Sequence, residues 1–254
     1  MNRIEIKVLN PGAVAEAEKM MVCAARLTQR GHQLVTMADF IELYEKEYQP
    51  ETAGAMVELP HPTIQKFGTI NVAVVGASRR FLAQITRHQN EVKFMSASLQ
   101  YSDYSGSVET DFVVPYEILG NELAMAGYLL QCSEAMLNYK AYVANGVGND
   151  AAGYMAPQGL RNILIISATP YQWKHMIGQR TCQRNTDETR YVMLRIWEQL
   201  FELDPRLFSS ATTGSFCLSG PCKEGKMSCD LPFWAGATPT DLIEVGFPRL
   251  FVKG

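Results

Sequence analysis

An α+β fold, a small mixed sheet packed with several long helices, is what the order of apolar periodicities along this chain predicts. Two short β-branched runs, at residues 69–75 and 162–167, have strand character. Much longer stretches, at 116–143 and 185–203, repeat apolar residues at helical spacing. Turn and cap residues punctuate the boundaries between them.

In chain order, residues 3–8 alternate charged and apolar side chains like a short strand, and Asn10-Pro11-Gly12 breaks the pattern. An Ala-rich helix is predicted over 14–30 and a second over 36–48. Residues 51–62, rich in proline and glycine, read as a connecting loop that delivers His61. After the strand at 69–75, Gly76-Ala77-Ser78 starts a helix running through Phe81, Ile85 and His88, which puts Arg87 and His88 at its carboxyl end. Asp103 to Gly106 has turn chemistry, and Phe112-Val113-Val114-Pro115 reads as a strand end. One or two long helices follow over 116–143, with Leu119, Leu123, Met125, Leu129 and Met136 as their apolar positions. A Gly-rich loop at 146–159 precedes the strand at 162–167. Thr169-Pro170, an N-cap followed by a first-turn proline, is the strongest helix start in the chain. That helix carries His175 to Arg180, and another spans 185–203. No internal repeat or low-complexity tract is present.

The chain has 254 residues at 47% hydrophobic content, enough for a full-sized core, and is read as one domain over 1–254. With 23 Lys+Arg against 26 Asp+Glu it lacks the basic surface that non-specific binding to nucleic acid or lipid headgroups requires. No signal peptide is visible, and apolar runs such as 163–166 are too short to span a bilayer. A cytoplasmic protein whose six cysteines are thiols is expected.

Two stretches concentrate chemistry. Gln84-Ile85-Thr86-Arg87-His88 leads to the hydroxyl-rich segment around Ser96, Ser98, Tyr101 and Ser102, and Arg180-Thr181-Cys182-Gln183-Arg184 runs on to Glu188. Charge at the ends of apolar segments is costly unless it meets a partner or an anionic ligand. Arg87 and His88 fit a helix carboxyl end simply as dipole-complementing cations. Gln84, one turn earlier, and the hydroxyls that follow add donors suited to a phosphate or a pyrimidine ring. His61, between prolines, reads as a loop histidine sooner than as a ligand. Arg180 has two readings, a structural ion pair with Glu188 or an anion ligand. Cys217, Cys222 and Cys229 do not match zinc-ribbon spacing and have no histidine nearby, so no metal is expected. No nucleophile elbow, Cys-His pair, Walker or Rossmann pattern occurs.

The ordered set of motifs resembles the flavin-dependent thymidylate synthases. It comprises Ala24-Ala25-Arg26-Leu27, His61-x-Thr63, Gly76-x-Ser78-Arg79, Gln84-x-x-Arg87-His88, Ser98-x-x-Tyr101, His175, Arg180-Thr181-Cys182-x-Arg184-x-x-x-Glu188 and Gly225-Lys226-Met227-Ser228-Cys229. The resemblance implies a homotetramer whose active sites are assembled from several subunits. It further implies FAD, and methylene transfer from methylenetetrahydrofolate to C5 of dUMP, with NADPH as reductant and no cysteine nucleophile. By position, His61, Thr63, Arg87, His88 and His175 would meet FAD. Gln84, Arg87, Ser98 and Arg180 would meet the pyrimidine nucleotide, with Arg180 stabilising the ring anion.

The chain departs from the family pattern at several places. Gln89 replaces the second motif arginine, the 90–98 stretch is one residue longer, and Ser96 falls where a carboxylate or similar polar residue is usual. Gln100 and Gly153 stand where phosphate-binding arginines are expected, Thr169 and Tyr171 replace Asn and Arg beside the flavin, and Lys66 replaces a frequent Glu. Lys93 and Arg161 are the candidate replacement cations. The resemblance therefore also accommodates an enzyme acting on UMP or another pyrimidine nucleotide or nucleoside, or a binding paralogue without catalysis.

Overall fold

The computed structural model describes residues 4–59, 61–106, 112–218, 220–222, 224–229 and 235–250. Four strands, β1 (Glu5–Val8), β2 (Ile70–Ser78), β3 (Val92–Ser96) and β4 (Arg161–Ala168), form one sheet in the order β1-β2-β4-β3. The α+β class is as expected, but the sheet is antiparallel throughout and not mixed. β4 enters beside the end of β2, with Ser78 opposite Arg161, and so must run against it. The sequence reading missed β3, which lies at the sheet edge and is only five residues long.

One face of the sheet is core. Ile70, Val72, Val74 and Ile166 are fully buried, while Val75, Met95, Ile163 and Ile165 on the opposite face are exposed. This is the period-2 alternation of a strand, with apolar residues on both sides. A register shift between Val75 and Ala77 is absorbed at Gly76, whose φ of +84° is left-handed and suits glycine. The bulge carries the strand on to Ser78, beyond the end its sequence suggested.

The long helices α1 (Gly12–Arg30) and α2 (Met37–Glu45) lie close to expectation, the second opened by a reciprocal cap between Thr36 and Asp39. The expected loop at 51–62 is instead largely α3 (Pro50–Val57). Pro50 serves as its first-turn residue, and Ala53, Met56 and Val57 form a buried face. Two turns of helix are too few for a periodicity to stand out among flanking prolines. α4 (Arg79–Ile85) starts at the Ser78 cap but stops before Arg87 and His88, which occupy the following turn. α5 (Glu122–Ala144) is a single helix preceded by a 3₁₀ turn at Tyr116–Ile118. The Gly-rich loop contains a one-turn α6 (Asn149–Ala152) and a 3₁₀ turn at Gly153–Met155. Phe112 makes a lone bridge to Leu160.

α7 (Pro170–Arg180) begins at the Thr169 cap as its sequence signals. α8 (Asp187–Leu203) is buried nearly all round and lies at the centre of the core, with α9 (Pro239–Gly246) beside it. Two fully buried tryptophans satisfy their single donors on backbone oxygens: Trp173 Nε1 donates to Ile70 O at 3.1 Å and Trp197 Nε1 to Phe208 O at 2.8 Å. No helix among the described residues is long and apolar enough to cross a membrane.

Gly214 sits against this core at φ +98°, where an added Cβ would lie 2.5 Å from Leu218 and 2.8 Å from Trp197. Gly214→Ala should cost roughly 2–4 kcal/mol, left-handed strain plus overpacking. Urea unfolding of the variant checks it.

Candidate active site

The seven-residue α4 is too short to persist alone, so its position is set by its ends. At its start the Ser78 hydroxyl accepts from the Phe81 N–H at 3.1 Å. Ser78 then donates through its N–H and hydroxyl to the two carboxylate oxygens of Glu188, at 2.6 and 2.5 Å. Burial pushes the Glu188 carboxyl up, against the pull of those two donors. Glu188 is therefore not the ion-pair partner of Arg180 that the spacing allowed. Eight residues on from Arg180, it faces the sheet junction instead.

At the other end of α4, Gln84 is locked in place. Its Oε1 accepts from the Thr189 hydroxyl at 2.7 Å, and Thr186 donates to Thr189 at 2.9 Å. The Gln84 amide NH2 keeps its donors.

Arg180, at the end of α7, is held on three sides. Its Nε donates to His88 Nε2 at 2.8 Å, Nη2 to the Gln84 carbonyl at 2.9 Å, and Nη1 to Asn185 Oδ1 at 3.3 Å. A guanidinium has five N–H groups, so two remain for a ligand. Burial, then the nearby Arg87, lowers its pKa without discharging it. His88 is buried, and burial, then Arg180 and His175, pushes its pKa down to about 4. It is thus a neutral acceptor toward Arg180 at neutral pH. His175 packs edge-on against it, ring centroids 5.8 Å apart.

These groups border a cavity of about 660 Å³ lined by Arg87, His88, Tyr171, His175 and Arg180 among others. The structure brings together Arg87, His88, His175 and Arg180, with Gln84 bonded to the rim. It does not bring in the rest. His61 and Thr63 are exposed on the segment leading into the 3₁₀ turn at Ile64–Lys66. Ser98 lies past the far end of β3, its hydroxyl accepting from the Gln100 N–H at 3.1 Å. At that same end Gly153 packs so tightly that a Cβ would meet Leu99 at 3.1 Å. Arg161 is engaged in part, donating to the Gly76 carbonyl at 2.6 Å, and Lys93 is exposed on β3.

Residues that sequence reasoning missed are Thr186, Thr189 and Asn185, which hold Gln84 and Arg180. The Asn-Thr-x-x-Thr run that opens α8, Asn185 to Thr189, was the signal. Cys182 joins Cys217 and Cys222 around a second pocket on the other side of Arg180. Among the described residues no three His, Cys, Asp or Glu side chains are placed to hold a metal ion.

Fold and site together define an antiparallel α+β chain with a tethered arginine and a neutral histidine at a polar cavity. The chain belongs to the thymidylate synthase complementing protein family, whose model, Thy1, matches residues 12–206. It is 27% identical over 217 residues to a flavin-dependent thymidylate synthase of Thermococcus kodakarensis, covering 79% of this chain and 87% of that one. It is 25% identical over 177 residues to the Geobacter sulfurreducens enzyme of the same name, covering 68% and 73%.

Among solved structures, a UMP/dUMP methylase, PolB, from Streptomyces cacaoi bound with 5-Br dUMP superposes with a TM-score of 0.68 at 13% identity. That match covers 82% of this chain and 94% of that one. Thymidylate Synthase X from Helicobacter pylori with FAD and dUMP gives 0.62 at 15% identity, covering 82% and 99%.

Histidine titrates near 6.5 once unfolded, so the unfolded chain takes up a proton that folded His88 refuses until about pH 4. Stability should therefore fall as pH drops through that window and be insensitive to His88 above it. His88→Gln, which keeps a neutral acceptor, should flatten this slope in urea unfolding followed against pH.

Proposed function

We propose that this chain is a flavin-dependent enzyme that methylates C5 of a uracil nucleotide. The leading form is dUMP to dTMP, with methylenetetrahydrofolate as carbon donor and NADPH as reductant, in a cytoplasmic protein of one domain. The observation that carries the reading is Arg180: a half-buried guanidinium, fixed by His88, Gln84 and Asn185, with two N–H groups left over beside a polar cavity.

The cavity suits FAD, an anionic and aromatic cofactor, because it combines the Arg87 cation with the rings of Tyr171 and His175. In this reading Arg87, His88 and His175 hold the cofactor and His61 and Thr63 approach it from the rim. Gln84, Arg87, Ser98 and Arg180 hold the nucleotide. FAD supplies the redox chemistry. Arg180 places a fixed positive charge at the carbonyl edge of the pyrimidine, where negative charge grows as C5 becomes nucleophilic. Because its tethers are already made, no reorganisation is needed when that charge develops. The neutral His88 keeps the guanidinium oriented without adding a competing cation.

Ser98 and Arg180 belong to one site only if copies of the chain share it, which supports an oligomer, in this reading a homotetramer. Two uncovered apolar surfaces agree. Leu123, Leu130 and Leu137, seven residues apart on α5, are 85%, 61% and 62% exposed, and the outer sheet face presents Val75, Met95, Ile163 and Ile165. A variant substrate is the second reading, favoured by the phosphate end. Gln100 is exposed, and a Cβ added at Gly153 would crowd Leu99 at 3.1 Å, so neither position supplies a cation.

The visible spectrum before and after adding FAD, then dUMP, UMP or uridine, tests both. Bound flavin perturbed by dUMP supports thymidylate synthesis, a response to UMP or uridine alone supports the second reading, and no flavin binding overturns both. Arg180→Ala should lower turnover about 100-fold or more while FAD stays bound. Arg87→Ala should weaken FAD binding, read by flavin fluorescence.

A further inference from the structure

A cluster that the proposed chemistry does not use stands at the edge of the cavity. Glu91 has φ +58°, the left-handed region, and is the non-glycine residue with positive φ among the described residues. Its carboxylate accepts from Lys66 Nζ at 2.8 Å and from Gln172 Nε2 at 3.4 Å. The Lys66 ammonium in turn lies 5.5 Å from the centroid of the Tyr171 ring.

Glu91 thus ties together three segments that are distant in sequence: the 3₁₀ turn at Ile64–Lys66, the turn after His88, and the first turn of α7. Gln89, Asn90, Tyr171 and Gln172 all line the cavity. The carboxyl is held below the usual carboxylate range by Lys66 first and Gln172 second.

Stability does not account for this arrangement. The Lys66–Glu91 pair is well exposed, and exposed ion pairs contribute little to folding. A left-handed glutamate, by contrast, is unfavourable unless something over-determines it, and such outliers gather at functional sites. Several of the sequence departures converge here as well: Lys66, Gln89, Tyr171 and the start of the lengthened 90–98 stretch, scattered along the chain, meet at one wall.

We propose that Glu91 is a positioning residue of the active site, whose carboxylate pins Lys66 and Gln172 and thereby sets the Tyr171 wall of the cavity for the aromatic, anionic cofactor. The proposal rests on reading the cavity as the FAD site. Lys66, neutralised by Glu91, serves in it as a spacer over the ring and not as a free phosphate ligand. The wall is built before the cofactor arrives, so binding does not have to order it.

The test is FAD titration of the full-length protein, alongside thermal unfolding of the apo form, for wild type, Glu91→Gly and Glu91→Gln. Glycine relieves the backbone and removes the carboxylate, so its thermal midpoint should hold or rise while the FAD dissociation constant rises about tenfold. Glutamine keeps an acceptor without the charge and should fall between. Variants that bind FAD as wild type does would overturn the proposal and leave the cofactor reading intact. A lowered midpoint that tracks the lost affinity would also overturn it, making Glu91 a structural tie. Wild type that binds no FAD would remove the reading beneath it.

Discussion

Glu188 accepts two hydrogen bonds from Ser78 across 110 positions of sequence, and that contact fixes where α4 begins. A two-turn helix has no stability of its own, so its axis follows from its cap. The cap is shared between the bulged end of β2 and the first turn of α8, which is the most deeply buried helix. Gln84, Arg87 and His88 then inherit their places from the end of α4, and Arg180 reaches across from α7 to meet them. A carboxylate that never lines the cavity thus determines its geometry. Its burial is tolerable because both oxygens find strong donors.

The tethering of Arg180 shows why the local electrostatics are arranged as they are. A protonated His88 would place a second cation against the guanidinium and lose the acceptor that Arg180 Nε requires. Burial removes that option near neutral pH. The guanidinium is then oriented by neutral acceptors, a ring nitrogen, a carbonyl and an amide oxygen, and none of them cancels its charge. A carboxylate partner would have held it as firmly but spent the charge that a ligand needs.

The readable parts of the sequence were those governed by local rules. Thr169-Pro170 announced α7 and Ser78 announced α4, because caps act within one turn. The long periodic run at 185–203 announced α8. What sequence could not show was set by distant neighbours. α3 owes its existence to packing against α1, and β3 to its pairing with β4, a contact that five residues cannot announce. Glu188 was legible as a buried charge, yet not as the partner of Ser78, since nothing local links them. Arg87, His88, His175 and Arg180 were identified from motif resemblance and do meet at one cavity. Ser98 was identified with them and does not, because β3 intervenes.

That strand has a consequence of a different kind. Four steps of about 3.3 Å separate its ends by roughly 13 Å, with Arg87 and His88 before it and Ser98 after it. On the shared-site reading, a lesion near Arg180 and a lesion near Ser98 damage different contributions to each site. Mixed assemblies of two differently inactive chains would then contain some sites built wholly from sound halves. Inheritance of function would follow the assembly and not the chain, and the two ends of one short strand would behave as separable genetic units.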